Sequence, residues 1–160
     1  MLWERVGAEG RVVGVDFSPK MVERAERRIG RHGWPNVEVT CRDVTIDALD
    51  PDTFDAALAT FSLSATSDVP AALEHVYRSL RPGGRLFVCD LRLAPEGRAA
   101  AAIWLAGQCY RRLAGWTRQD LLDQLRATFD EVEVVGTLRP WPPVFMALAT
   151  KSVTEPSPTI

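Results

Sequence analysis

The stretch from Glu131 to Thr150 constrains the fold more than any other part of the chain. Two strand-like runs, Glu131 to Leu138 and Val144 to Thr150, are separated by five residues, three of them prolines (Pro140, Pro142 and Pro143). A parallel crossover needs about a dozen residues, so a connection this short makes the pair antiparallel. Upstream, β-branched or apolar runs alternate with amphipathic ones, the pattern of a parallel sheet covered by helices. A mostly parallel α/β sheet closed by an antiparallel C-terminal hairpin is a narrower class than a plain doubly wound fold.

The upstream elements follow from local chemistry. Leu2 to Val6 reads as the end of a helix, and Arg11 to Asp16 as a short β-branched strand. Ser18 and Pro19 then open a helix, Ser as N-cap and Pro at the first helical position. Met21, Val22, Ala25 and Ile29 share its apolar face, and Gly30 is the expected stop. Asn36 to Cys41 alternates like a strand, and a short turn or 3₁₀ segment is expected at Ile46 to Leu49. Phe54 to Phe61 is nearly continuous in apolar residues, which predicts a strand covered on both faces. After a Ser/Thr-rich loop, Asp68 to Leu80 reads as a helix with Pro70 in its first turn and Ala72, Leu73, Val76, Tyr77 and Leu80 as its stripe. Arg81 to Gly84 is read as a turn and Arg85 to Asp90 as the next strand. A helix is expected from Gly97 to Leu113, then another capped by Thr117, with Asp120 three residues on and Leu121, Leu122, Leu125 and Phe129 buried. The expected organisation is one domain over residues 1–150 and a frayed tail over residues 151–160.

With 46% apolar and 25% charged residues the chain has the material for one soluble core, and its net charge of −2 gives no bulk attraction to nucleic acid. Cys41, Cys89 and Cys109 form no CxxC pair and read as small buried residues in a reducing cytosol, so a cytoplasmic protein is expected. No run reaches the roughly 20 apolar residues of a membrane span, and no basic leader precedes an apolar core. Without HExxH, a Cys/His cluster or a Walker A loop, neither a metal nor a nucleoside triphosphate is expected. Ser62 and Ser64 lack the GxSxG surroundings of a nucleophile, and His32 and His75 read as surface residues.

Three segments, in order and at suitable spacing, resemble class I S-adenosylmethionine-dependent methyltransferases. GRVVGVDFSPKMVERA (Gly10 to Ala25) resembles their second strand and following helix. FDAALATFSLSATSD (Phe54 to Asp68) resembles their fourth strand and active-site loop, and LRPGGRLFVCD (Leu80 to Asp90) their fifth strand with its Pro-Gly-Gly lead-in. The branch that includes quinone-biosynthesis and phosphatidylethanolamine N-methyltransferases is the most similar in flavour. The resemblance covers residues 1–150 and implies a Rossmann-like methyltransferase sheet, S-adenosylmethionine as cofactor and a small-molecule or lipid acceptor. One element has no counterpart. The family places an acidic residue and a Gly-x-Gly turn after its first strand, and Gly7, Gly10 and Gly14 are not in that arrangement. The expectation is an N-terminally truncated domain: a sheet without its first strand, a vacancy flanked by the Arg11–Asp16 and Phe54–Thr60 strands, and a cofactor site without its methionine half.

Asp16 ends its strand at the carboxyl edge where open α/β sheets bind ligands, and the resemblance assigns it the ribose hydroxyls. Phe17 and Met21 would pack on the adenine, or else in the core. Asp43 would accept the adenine amino group, with Val44 offering backbone contacts; otherwise it is a turn residue. Thr60 and Phe61 leave the fourth-strand equivalent beside the expected methyl donor, and Asp16, Asp43 and Phe61 are expected to converge on one cleft. No general base stands out, so no catalytic residue is named. Trp104, Tyr110, Arg111, Arg112 and Trp116 fall where the family covers its substrate; they would also serve peripheral membrane contact, or simply pack a helix on the sheet. Three rival readings stand beside this one. One is a non-catalytic fragment of the fold unable to hold cofactor. Another is a nicotinamide dehydrogenase, disfavoured by the terminal hairpin and the missing fingerprint. The third is a membrane-surface enzyme acting on lipid, supported only by the Trp/Arg segment. Neither the acceptor's identity nor the oligomeric state is legible.

Overall fold

The computed structural model describes residues 2–91, 120–138 and 144–153. The expected helix from Gly97 to Leu113, the aromatic and arginine residues on it, Trp116, Thr117 and Cys109 lie outside these residues. The chain forms two compact units, Met1–Asp47 and Ala48–Ile160.

The first unit holds helix α1 (Leu2–Val6), strand β1 (Val12–Asp16), helix α2 (Pro19–His32) and strand β2 (Val37–Cys41). β1 and β2 pair in parallel, in register from Val12↔Val37 to Asp16↔Cys41, with α2 as the crossover. Ser18 is the N-cap residue with Pro19 behind it, but its side chain makes no capping bond. The helix passes through Gly30 and ends instead at Gly33, whose φ of 63° is left-handed. There Gly33 N–H donates to Gly30 O and Trp34 N–H to Ile29 O, so the last carbonyls are satisfied only when the glycine sits three residues later than expected. The Asn36 amide donates to the carbonyls of both Gly7 and Gly10 at 2.9 Å, fixing the entry into β1. Arg11 and Glu38 pair across the two strands. Burial is thin: Val22 is the first unit's one member of the buried apolar set among the described residues. A two-stranded sheet with one crossover helix and a five-residue α1 has little opportunity for more.

The second unit carries the core. Its strands are β3 (Phe54–Thr60), β4 (Leu80–Leu91), β5 (Glu131–Leu138) and β6 (Val144–Thr150), in spatial order β3-β4-β6-β5. β3 and β4 are parallel, joined through helix α3 (Val69–Ser79), and β6 is antiparallel to both β4 and β5. The hairpin deduced from the proline-rich connection is therefore present with the expected ends. One face alternates strictly: Leu86, Val88 and Asp90 of β4 stand opposite Ala149, Ala147 and Phe145 of β6, all of them buried. Helix α4 (Leu121–Thr128) buries Leu121, Leu122 and Leu125, and Phe129 follows at its C-cap. The T-shaped contact of Phe129 with Tyr77, centroids 5.3 Å apart, joins α4's end to α3. Ala72 and Leu73 of α3 are fully buried.

Several expectations are corrected. α4 is capped by Asp120, whose carboxylate accepts the Leu122 amide. β4 does not begin after a turn: Leu80 already pairs with Phe54, and Arg81 to Gly84 form an excursion before the ladder resumes at Ala56↔Arg85. The apolar run of β3 is not covered on both faces. β3 is an edge strand whose Ala56, Leu58 and Thr60 are exposed, Leu58 at 50%. Cys41 is exposed rather than buried, and His75 is half-buried rather than at the surface. No 3₁₀ segment forms at Ile46 to Leu49; the turn spans Val44 to Ile46, and a 3₁₀ helix forms at Leu63–Ala65 instead. The first two residues beyond Thr150 are hydrogen-bonded to the second unit. Lys151 exchanges backbone hydrogen bonds with Gly83 and Gly84, and Ser152 N–H donates to Asp130. Among the described residues no strand covers the outer edge of β1 or of β3.

Candidate cofactor site

Asp16 closes β1 opposite Cys41, the last residue of β2, so the carboxyl ends of both strands lie together. Arg42 N–H donates to Asp16 O, which carries the ladder one step past the strand end and places Asp43 on the same rim. Each carboxylate is oriented by the chain just after it. Asp16 Oδ1 accepts from Ser18 N–H at 2.8 Å, an Asx turn that starts α2. Asp43 Oδ1 accepts from both Thr45 N–H at 2.9 Å and the Thr45 hydroxyl at 2.7 Å. The Thr45 hydroxyl, and behind it the Thr45 amide, hold the Asp43 carboxyl below the usual carboxylate range. Among the described residues the second oxygen, Oδ2, of each aspartate makes no hydrogen bond within the protein.

Phe17 follows Asp16 directly and is 70% exposed, and Met21, one helical turn on, is 50% exposed. Neither packs in the core. Val44 lies in the turn after Asp43. The rim of the first unit thus combines two oriented carboxylates with exposed apolar surface, an acceptor-and-platform set whose chemistry is compatible with the adenosine part of S-adenosylmethionine.

In the second unit Thr60 ends β3 opposite Cys89, and Phe61 N–H extends the ladder by donating to Cys89 O at 2.9 Å. Phe61 is in the left-handed region at φ 50°, unusual for an aromatic residue, and its ring is exposed. The 3₁₀ turn that follows carries Ser64, whose amide and hydroxyl both donate to Asp90. Asp90 is fully buried, and no sequence motif assigns it a role. The one signal it leaves in the sequence is a carboxylate closing an otherwise apolar strand, RLFVCD.

Strand-helix-strand units with ligand-type residues at the carboxyl ends of parallel strands, closed by an antiparallel hairpin, define a Rossmann-like α/β protein of the methyltransferase type. Residues 1–84 match the methyltransferase-domain family, and the chain belongs to that family, within the class I S-adenosylmethionine-dependent methyltransferases. It is similar to the 2-phytyl-1,4-naphtoquinone methyltransferase of Nostoc punctiforme, 35% identical over 65% of this chain and 46% of the relative. It is also similar to the demethylmenaquinone methyltransferase of Lactococcus lactis, 33% identical over 55% of this chain and 34% of the relative. The chain therefore spans less than half the length of these curated relatives. Among solved structures, a SAM-dependent methyltransferase from Methanosarcina mazei superposes with a TM-score of 0.69 over 96% of this chain and 87% of its own, at 16% identity, which is a likeness of fold. No helix among the described residues is long and apolar enough to cross a membrane.

Proposed function

We propose that these residues form the cofactor-binding part of an S-adenosylmethionine-dependent methyltransferase acting on a small-molecule or lipid acceptor. The observation that carries this reading is the pairing of Asp16 and Asp43 on one rim of the β1–β2 sheet beside the exposed Phe17 and Met21. Asp16 accepts the ribose hydroxyls through the oxygen that the Asx turn leaves over. Asp43, kept anionic by Thr45, accepts the adenine amine, and Val44 supplies backbone contacts. Phe17 and Met21 cover the base. Within the second unit, taken by itself, Thr60 and Phe61 at the exit of β3 are offered separately as supports for the reacting methyl group. When bound, the cofactor supplies a methyl group already activated by its sulfonium, so the chain's task is to align the acceptor and exclude water. A quinone-type acceptor is favoured by what the two relatives are named for.

The methionine part of the cofactor needs backbone donors of the kind a Gly-x-Gly turn gives, and these 160 residues contain no such turn after an acidic residue. Affinity is accordingly expected to be low, with a dissociation constant of about 0.1–1 mM, roughly 4–5.5 kcal/mol. Titration of S-adenosylmethionine followed by amide NMR tests the reading. Shifts should appear at Asp16, Phe17, Asp43 and Val44 and be lost in Asp16→Ala. Unchanged shifts in that variant would remove Asp16 from the site, and micromolar binding would show that the glycine turn is dispensable.

A further inference from the structure

Asp90 is a buried carboxylate that the proposed cofactor contacts do not use, and three donors converge on it. Its Oδ2 accepts from Ser64 N–H at 3.1 Å, and its Oδ1 accepts from the Ser64 hydroxyl at 2.5 Å and from Leu91 N–H at 2.7 Å. Both oxygens act as acceptors, which no neutral amide reproduces: turning an Asn either way points its NH₂ at a backbone N–H. Asp90 is fully buried, and Phe145, 1% exposed, stands opposite it across the β4–β6 ladder.

What this carboxylate holds is the chain leaving β3. Phe61 has an unfavourable left-handed backbone and an exposed side chain. It is fixed from two sides. Its own N–H is bound to Cys89 O, and three residues later Ser64 is bound twice to Asp90. Leu63, 4% exposed, seals the turn between the two anchors. Both anchors belong to consecutive residues at the end of β4. A strained residue persists only where its surroundings over-determine it, and such residues gather where a side chain must be presented.

We propose that Asp90 is a positioning residue: acting through Ser64, it locks the β3 exit in the conformation that presents Phe61 and Thr60 to the methyl donor or acceptor. The locking itself is independent of any ligand, whereas the claim that it serves the cofactor rests on the function proposed above.

The test uses Ser64→Ala, which removes one bond at a half-buried site, Asp90→Asn, and Ser64→Thr, which keeps the hydroxyl. In the ligand-free chain, amide hydrogen exchange at Phe61 and Ser64 should accelerate at least tenfold in Ser64→Ala and Asp90→Asn. Exchange at Leu86 and Val88 in the body of β4 should stay as in the parent, and Ser64→Thr should restore protection. Equal acceleration at all four amides would mean that the pair only stabilises the unit, and unchanged protection at Phe61 would mean that Asp90 holds nothing; either result overturns the proposal. With S-adenosylmethionine added, the variants should lose ligand-induced shifts at Thr60 and Phe61; persistence there would overturn the link to the cofactor. A parent chain with no shifts anywhere would defeat the proposed function instead, and with it the link to the cofactor, while the lock would still stand or fall on the exchange rates.

Discussion

The carboxylate of Asp16 accepts the Ser18 amide at 2.8 Å, so the residue assigned to the ribose also starts the helix that follows it. The two roles separate by substitution. Asp16→Ala should lower the stability of the chain by about 1 kcal/mol, the usual worth of one such hydrogen bond. Asp16→Asn keeps an acceptor oxygen for Ser18 and should cost less than half of that. Urea denaturation of the two variants and the parent measures the difference.

Asp43 gives a pH-dependent prediction. Its carboxyl is depressed first by the Thr45 hydroxyl and then by the Thr45 amide. A depressed carboxylate contributes stability above its unfolded pKa, and the contribution disappears as pH falls through the folded value. Thr45→Val removes the hydroxyl bond and keeps the amide. The Asp43 carboxyl should then titrate at higher pH by carbon-detected NMR, and the stability gap between parent and variant should close on acidification. A gap that widened in acid would contradict the assignment.

Two glycines of one helix should respond with opposite sign. Gly30 lies inside α2, and a Cβ added there meets nothing within 4 Å. Gly30→Ala should stabilise by up to about 1 kcal/mol through helix propensity. Gly33 has φ +63°. Gly33→Ala should destabilise by about 1–2 kcal/mol, the cost of the left-handed conformation for a residue with a Cβ. Thermal melts of the pair decide it.

Lys151 donates to Leu80 O at 2.6 Å and to Asp52 at 2.8 Å, its ammonium stands 5.1 Å from the Tyr77 ring centre, and its side chain is only 15% exposed. Lys151→Ala strips a buried carbonyl of its charged donor and should cost about 1.5–3 kcal/mol. Asp52→Ala removes only a partner that is 61% exposed and should cost under about 1 kcal/mol. Denaturant midpoints with unchanged slopes would support this ordering.

The core prediction contrasts two leucines. Leu73 is fully buried on α3, and Leu73→Ala should cost about 2–5 kcal/mol through transfer and cavity terms. Leu58 is 50% exposed on the β3 edge, and Leu58→Ala should cost under about 1 kcal/mol. Equal costs would indicate that the β3 edge is covered in solution.

The parts of the fold legible in the sequence are those set by period and punctuation. The hairpin strands are readable to their end residues because alternation and proline spacing are local signals. The placement of Asp16 and Asp43 is readable because both follow directly from where β-branched runs stop. The exposure of one face of β3 is not, since an apolar run has the same composition whether one of its faces or both are covered. Gly30 and Gly33 look alike until φ is known. Asp90 escapes a reading of the sequence because its burial depends on Phe145 and its partners on Ser64, far along the chain in opposite directions.

Strand β6 lies inside its sheet, between β4 and β5, although it is the last of the four to be synthesised. Growth on the ribosome therefore cannot lay this sheet down strand by strand. β4 emerges early and waits with one hydrogen-bonding edge open until Val144–Thr150 arrive to fill it. The β1–α2–β2 unit has its partners close in sequence and can close as it emerges. The two units thus acquire order at different times, and until β6 arrives β4, already paired with β3, keeps one hydrogen-bonding edge open.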